Sequence, residues 1–311
     1  MKRSASLAIL AALACVRERA GAQAVAPVTV RVATSPNDDL SALLYAQQSG
    51  AFKAAGIELT IQKANNGSFV AAAIAGGAVD VGKVSSIPII TAHVRNIPFK
   101  IVYPNKLNIV GQTVTGALVV APDSPIRVAR DLNGKTIAVG ALLDSTWLGA
   151  RAWVDAHGGD SSTLHYIEIP FSAVAAALHE NRIQAGSLGQ PYITAQTTTG
   201  EVRMLADVTT AIGPRVLQSA WCSTADYAAR NRDVVTKFAR ALAQSARYCN
   251  THQSEIIPIT AAFTGIEPAT LATMKTIYAT EPDPRDLQPW IDASARYKVI
   301  PQRFDAAELY A

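Results

Sequence analysis

Val28 to Ala33 is a short β-branched run that predicts a first strand, and Ser35-Pro36-Asn37-Asp38 directly after it predicts a helix start. Ser35 is the expected cap, with Pro36 in the first turn and Asp38 three residues after the cap. Leu40, Leu43 and Leu44 then give one apolar helical face. Beyond Gly56, Ile57 to Ile61 alternates as a second strand. Gly67 to Gly77 is an alanine-rich helix stopped by glycines, followed by a buried strand from Val79 to Gly82. Ser86 to Val94 predicts another helix and Phe99 to Tyr103 another strand. Polar residues at Asn66-Gly67-Ser68 and at Ser85-Ser86 cap these helix starts, so free backbone N–H groups gather at one edge of a sheet. Open α/β sheets bind small molecules at that edge.

The rhythm breaks at Thr115 to Val120, a strand-like run without a matching helix, followed by the turn-rich Pro122-Asp123-Ser124-Pro125. It restarts with a strand at Thr136 to Val139, a helix from about Asp144 to His157 and a strand at His165 to Ile169. A helix from Phe171 to Glu180, a strand at Ile183 to Ser187 and a helix opened by Gln190-Pro191 follow, and Val202 to Leu205 closes the set. Val216 to Ser223 is a second lone run. Asp226 to Cys249, Glu255 to Phe263, Pro268 to Ala279 and the tail from Pro289 all read as helical. Strands alternating with helices predict an α/β protein with doubly wound, mostly parallel sheets. The two lone runs serve as crossings between two lobes. Residues 27–117 with 220–311 form the first, residues 118–219 the second, and a cleft lies between.

The N-terminus belongs to a different kind of pattern. Lys2 and Arg3 precede an apolar run from Leu7 to Val16, too short for a stable bilayer anchor, and Ala22-Gln23-Ala24 fits a cleavage site. Residues 1–24 thus read as an export signal, with Val25 first in the mature chain; Cys15 offers a lipoprotein alternative, although Ala12 stands where leucine is preferred. Lys2, Arg3, Arg17 and Arg19 against Glu18 account for three of the four net positive charges, so the mature chain is near +1. That balance gives no cationic nucleic-acid surface. Cys222 and Cys249 remain after cleavage, either as buried thiols or as a disulfide that an oxidising compartment would permit. His93, His157, His165, His179 and His252 are scattered without metal-site spacing, so neither metal nor cofactor is expected.

Several segments resemble one family in its own order. Gly50-Ala51-Phe52-Lys53-Ala54-Ala55-Gly56-Ile57-Glu58-Leu59 is similar to the G-L-F-x-x-x-G-L-x-V segment of bacterial substrate-binding proteins of the nitrate, sulfonate, taurine and thiamine-pyrimidine group. Ala75 to Gly82 resembles their A-x-G-x-x-D segment, and Asp131-Leu132-Asn133-Gly134-Lys135 with Thr136 to Gly140 their D-L-K-G-K-x-I-A-V lead-in to the second lobe. Gln190-Pro191-Tyr192 stands where many members carry Trp-x-Pro-Tyr, and the tail from Tyr297 to Pro301 with Phe304, Ala307 and Glu308 is also similar. The resemblance spans residues 28–311. It implies a periplasmic binding protein fold of the second type, and a monomeric, non-catalytic receptor in the periplasm. Its partner would be an ABC transporter permease in the inner membrane. Fold alone leaves the ligand open.

In that architecture helix starts from both lobes face the cleft. Candidate ligand-binding residues are Ser35, Asn37, Asn66, Ser68, Ser85, Ser86, Asp144, Ser145, Thr146 and Gln190, all of which could equally be plain helix caps. Lys83, after Gly82 at the expected strand end, either holds its ammonium in water over a buried stem or places a positive charge at the cleft. The second reading suits a sulfonate or carboxylate. Asp38, Asp39 and Asp144 oppose it unless paired, so a zwitterion reconciles both signs. Trp147 and Trp221 are candidate stacking walls for an aromatic or thiamine-precursor-like ligand, or else core residues; Phe69 and Tyr192 also lie near the rim. Some relatives are enzymes that cleave sulfinates through a cysteine or make a thiamine pyrimidine with cysteine-rich motifs. Here the first cleft loop, Ser35-Pro36-Asn37, has no cysteine, and Cys222 has no histidine nearby in sequence. A sensor's input protein would share the receptor's binding chemistry.

Overall fold

The computed structural model describes residues 26–64 and 67–311, apart from the Ser68 side chain. The expected leader 1–24, Asn66 and the Ser68 side chain lie outside the described residues. The chain begins with β1 (Val28–Thr34), α1 (Ser41–Gln48), α2 (Ala51–Ala54), β2 (Ile57–Lys63), α3 (Gly67–Ala75), β3 (Val81–Ser85), α4 (Ser86–Val94) and β4 (Phe99–Pro104). Next come β5 (Lys106–Ile109), β6 (Gly116–Val120), β7 (Thr136–Val139), α5 (Ser145–Ala156), β8 (His165–Glu168), α6 (Val174–His179), β9 (Ala185–Gly189), α7 (Tyr192–Thr198) and β10 (Arg203–Asp207). The return is β11 (Arg215–Leu217), β12 (Ser219–Thr224), α8 (Ala225–Arg230), α9 (Arg232–Thr251), α10 (Gln253–Thr264), α11 (Pro268–Thr273), β13 (Ile277–Tyr278) and α12 (Gln288–Arg296).

A first sheet runs β2-β1-β3-β12-β4 and a second β10-β6-β9-β7-β8. β1 lies parallel to β2 and β3, and β7 parallel to β8 and β9. Both sheets are more mixed than the strand-helix rhythm suggests. β12 is antiparallel to β3 and β4, and β6 is antiparallel to β9 and β10, because these strands enter from the crossing rather than from a helix on the sheet's own face. The expected single run from Val216 to Ser223 divides at Gln218 into β11 and β12. β11 joins β5 and β13 in a small antiparallel sheet that periodicity did not reveal. The helix expected from Pro268 to Ala279 stops at Thr273, its last residues being drawn into β13.

Packing explains the strictest positions. Gly82 sits on β3 under α3, where an added Cβ would lie 2.5 Å from Val70 and 2.8 Å from Ile74, so only hydrogen permits that approach. Asp80 clamps the preceding turn to β1: its carboxylate accepts from the Arg31 backbone at 2.8 Å and from the Arg31 guanidinium at 2.6 and 3.1 Å. Asp131 accepts the backbone N–H groups of Arg127 and Val128 and so shapes the turn into β7. Those bonds hold its carboxyl below the usual range. One apolar cluster joins residues of both sheets, Ala33, Val84 and Ile87 meeting Val139, Trp147 and Leu148. Cys222 and Cys249 are free, buried thiols in separate clusters. Among the described residues no helix is long and apolar enough to cross a membrane.

Candidate functional site

The carboxyl ends of β1 and β3 meet in a cluster of buried charge. After Thr34 the chain turns through Ser35 and Pro36, and a single 3₁₀ turn, Asp38–Leu40, precedes α1. Asn37, not Ser35, precedes that turn; it is exposed and makes no capping bond, while Ser35 is buried. Asp38 and Asp39 are both buried. Lys83 donates to Asp39 and Lys106, from β5, donates to Asp38. Ser219 donates to Asp39 at 2.7 Å, Thr276 to Asp38 at 3.0 Å, and the Asn105 amide to the Asp39 carbonyl at 2.9 Å. Burial pushes the Asp39 carboxyl upward, but the charges of Lys83 and Lys106 and the bonds from Lys83 and Ser219 hold it below the ordinary carboxylate range.

This arrangement corrects the expectation for Lys83. β3 continues to Ser85, so Lys83 lies inside a strand, on the face it shares with Val81. It is 4 % exposed, and its ammonium neither reaches water nor stands free for a ligand. Trp221 is corrected too. It sits on the interior strand β12 opposite Lys83 and Tyr103, is 1 % exposed, meets Phe238 edge-on at 6.1 Å and donates to Asn105 at 3.3 Å. Trp147 is 6 % exposed within the cluster that joins both sheets. Tyr166 is tilted against it at 5.8 Å and the Arg151 guanidinium covers it at 4.8 Å, so protein already occupies its faces. The exposed rim aromatics are Phe69 and Tyr192, the latter edge-on to Phe171 at 5.8 Å.

Of the other predicted helix starts, Asp144 behaves as a cap. Asp144 accepts the Trp147 N–H at 2.8 Å and the Thr146 hydroxyl at 2.7 Å; burial pushes its carboxyl upward, against these bonds. Thr146 is buried and Ser145 half-buried. Ser85 is exposed and makes no side-chain cap, whereas Ser86 ties α4 to the return crossing, donating from its hydroxyl to Leu217 at 2.5 Å. Gln190 accepts from the Thr194 N–H at 3.3 Å and donates to the Val114 carbonyl at 3.1 Å, joining α7 to the outgoing crossing; the Gln190-Pro191 bond is cis. An added Cβ at Gly140, after β7, would stand 2.7 Å from the Phe171 ring.

Sequence reasoning passed over the residues of the crossings themselves. Asn108 on β5 is fully buried; its carbonyl oxygen accepts from Thr113 at 3.2 Å and Thr115 at 3.0 Å, while its amide nitrogen has no partner among the described residues. The amide nitrogen of Gln218, between β11 and β12, is likewise buried and unpartnered. The two positions are close. Asn108 is paired with Val216, and the Gln218 N–H donates to the Lys106 carbonyl at 2.7 Å. Buried donors without acceptors are costly, so each calls for a partner such as a bound water, ion or ligand. Thr113 also lines a cavity of about 260 Å³ with Gln112, Gln190, Thr194, Met204 and Lys275, drawn from the outgoing crossing, the second sheet and the loop after α11. Lys275 is exposed and has no ion-pair partner among the described residues. One signal was available: Lys106 and Asn108 are polar positions alternating with Leu107 and Ile109, a strand alternation in a segment given no element above.

A family model described as NMT1/THI5 like matches residues 37–256, most of the chain. The chain belongs to the NMT1/THI5-like family. No curated protein matches it significantly in sequence. Solved structures do. The periplasmic aliphatic sulphonate binding protein SsuA from Escherichia coli is 17 % identical with a TM-score of 0.76, covering 92 % of each chain. The alkanesulfonate-binding protein SsuA from Xanthomonas axonopodis pv. citri, bound to MOPS, is 18 % identical with a TM-score of 0.73, over 92 % of this chain and 99 % of the other. The desulfurization enzyme DSZB is 16 % identical with a TM-score of 0.69, over 91 % and 96 %. The NMT1/THI5-like chain therefore has the periplasmic binding protein fold, which receptors and an enzyme share. Among its described residues no group of three or more His, Cys, Asp or Glu could hold a metal ion.

Proposed function

We propose that the chain is an exported, non-catalytic solute receptor of an ABC importer. Two lobes, residues 27–117 with 220–311 and residues 118–219, close about the crossings on a small organic anion or zwitterion of the sulfonate or carboxylate type. The unpartnered buried amides of Asn108 and Gln218 carry this reading, being donors placed where the crossings meet. Lys275 supplies a cation in place of Lys83, and the cavity it lines suits a ligand of few atoms. The sulfonate-binding relatives support the anionic class.

Titration calorimetry with short alkanesulfonates, taurine, carboxylates, neutral sugars and amines tests it. Sulfonates or carboxylates bind and raise the melting temperature. Gln218→Glu, which sets a carboxylate against the ligand, weakens them at least about tenfold. Lys275→Ala, at an exposed position, weakens them roughly two- to five-fold. Binding of neutral sugars or amines alone, or full affinity in Gln218→Glu, would overturn the anionic assignment. The likeness to DSZB supports an enzyme as the second reading. Against it, Cys222 is fully buried and burial pushes its thiol well up, away from the nucleophilic thiolate. Sulfite release from an aryl sulfinate that vanishes in Cys222→Ser would establish the enzyme; unchanged ligand affinity in that variant agrees with a receptor.

A further inference from the structure

A second cavity, of about 760 Å³, lies beside the edge strand β4 and beneath α9, lined by none of the residues of the crossings. It follows from an unusual feature of α9. One stripe of that helix, Phe238, Ala241, Leu242, Ala246 and Cys249, is buried in the core. A second stripe, Arg232, Val235, Thr236, Ala239, Arg240 and Ala243, has the spacing of a single helical face and lines the cavity instead. It extends for roughly 16 Å at 1.5 Å per residue. Val102 and Tyr103 of β4 form the facing wall. The Tyr103 hydroxyl is committed to the Ala279 carbonyl at 3.1 Å, which leaves the wall largely apolar.

Charge and closure select the occupant. Arg232 and Arg240 are exposed, without ion-pair partners among the described residues, against the single acidic side chain of the lining, Glu281; the ammonium of Lys100, also in the lining, donates to the Glu308 carbonyl at 2.6 Å. The β4 edge is taken up at Ile101 and, just past its end, at Asn105. Ala311 donates to the Ile101 carbonyl at 3.2 Å, and Ala279 donates to the Asn105 carbonyl at 2.8 Å. An added peptide strand has no continuous edge to pair with, so a compact molecule fits better. We propose that this cavity is a second ligand site, separate from the crossings, for a small amphipathic organic anion. Its apolar body lies along Val235, Ala239 and Ala243 against Val102, and its acid group pairs with Arg232 or Arg240.

Decanoate and decanol are suitable probes, titrated calorimetrically into the full chain. Decanoate is expected to bind saturably at one site, and decanol more weakly. Arg232→Glu with Arg240→Glu, both at exposed positions that leave the core intact, should weaken decanoate about tenfold, because two attractions become repulsions. Ala239→Trp should fill the groove and abolish binding of both probes. Lys275→Glu should leave decanoate affinity unchanged, and excess alkanesulfonate should not displace it. Absence of saturable decanoate binding, or unchanged affinity in the double arginine variant, would overturn the proposal. Displacement by alkanesulfonate, or loss of decanoate in Lys275→Glu, would return the anion to the crossings and equally overturn it.

Discussion

The strand ends of the two sheets begin from similar sequence and finish with different physics. After β1 the chain places Asp38 and Asp39 at a helix start, and after β7 it places Asp144 at another. At the first sheet, a lysine from its own β3 and another from β5 of the small sheet come to the acids, water is excluded, and four charges become a buried internal salt. In the second sheet no lysine among the described residues pairs with Asp144, which remains a cap bonded to backbone and hydroxyl. The environment moves the two carboxyls in opposite directions, Asp39 downward and Asp144 upward. An acidic helix start is therefore neither a ligand site nor a structural one until its countercharge is known. In this chain the cations that would have attracted an anion to the first sheet are spent internally, whereas the buried amides of Asn108 and Gln218 have no partner among the described residues.

The sharpest way to break the comparison is Lys83→Ala, which leaves Asp39 buried beside one lysine fewer. A loss of about 3–5 kcal/mol is expected in urea unfolding. Replacing the pair together, Lys83→Met with Asp39→Leu, should cost less than the single change, since no charge is left stranded. A Lys83→Ala protein of native stability that had lost only ligand affinity would restore Lys83 to the cleft.

Acid titration separates the two carboxyls by sign. The folded Asp39 carboxyl titrates below its unfolded value, so the unfolded chain takes the proton first. Its stabilisation is complete above about pH 4 and is lost as the pH falls through the folded value. Asp144, raised, behaves in reverse: its contribution is present in acid and disappears as the pH rises through its folded value. Melting curves from pH 2 to 7 should show steep acid loss, shallower in the Lys83→Met, Asp39→Leu protein. Identical curves would deny the ion pair its role.

Gly82→Ala forces a methyl against Val70 and Ile74, and about 1–3 kcal/mol of destabilisation is expected. Denaturant midpoints unchanged within error would mean that α3 can retreat from β3. Smallest is Asp144→Ala, which removes one cap for about 1 kcal/mol. A cost matching that of Lys83→Ala would erase the difference between the two sheets.

Much of the architecture is legible along the chain because helix and strand periods are local. Ser86 to Val94 is a helix with the limits the pattern predicts, and Thr136 to Val139 a strand. The misreadings fall where an element is decided by a distant partner. β5, β11 and β13 are four residues or fewer and exist because β5 pairs with two segments that each lie more than a hundred residues further along the chain. Trp221 could not be told from a ligand wall, since alternation gives a face but not what covers it; α9 covers it through Phe238.

The sequence alone determined the strand-helix rhythm, the two interruptions near which the chain passes from one sheet to the other and the polar helix starts, since each depends on a few neighbouring residues. It also carried the family motifs, whose Asp80 and Asp131 prove to fix turns. Tertiary structure decided which charges cancel and which donors stay unpaired. Lys83 lies 44 residues from Asp39, and Lys106 lies 68 from Asp38. Coulombic attraction and desolvation depend on separation in space and on the surrounding medium, and neither is written in residue order.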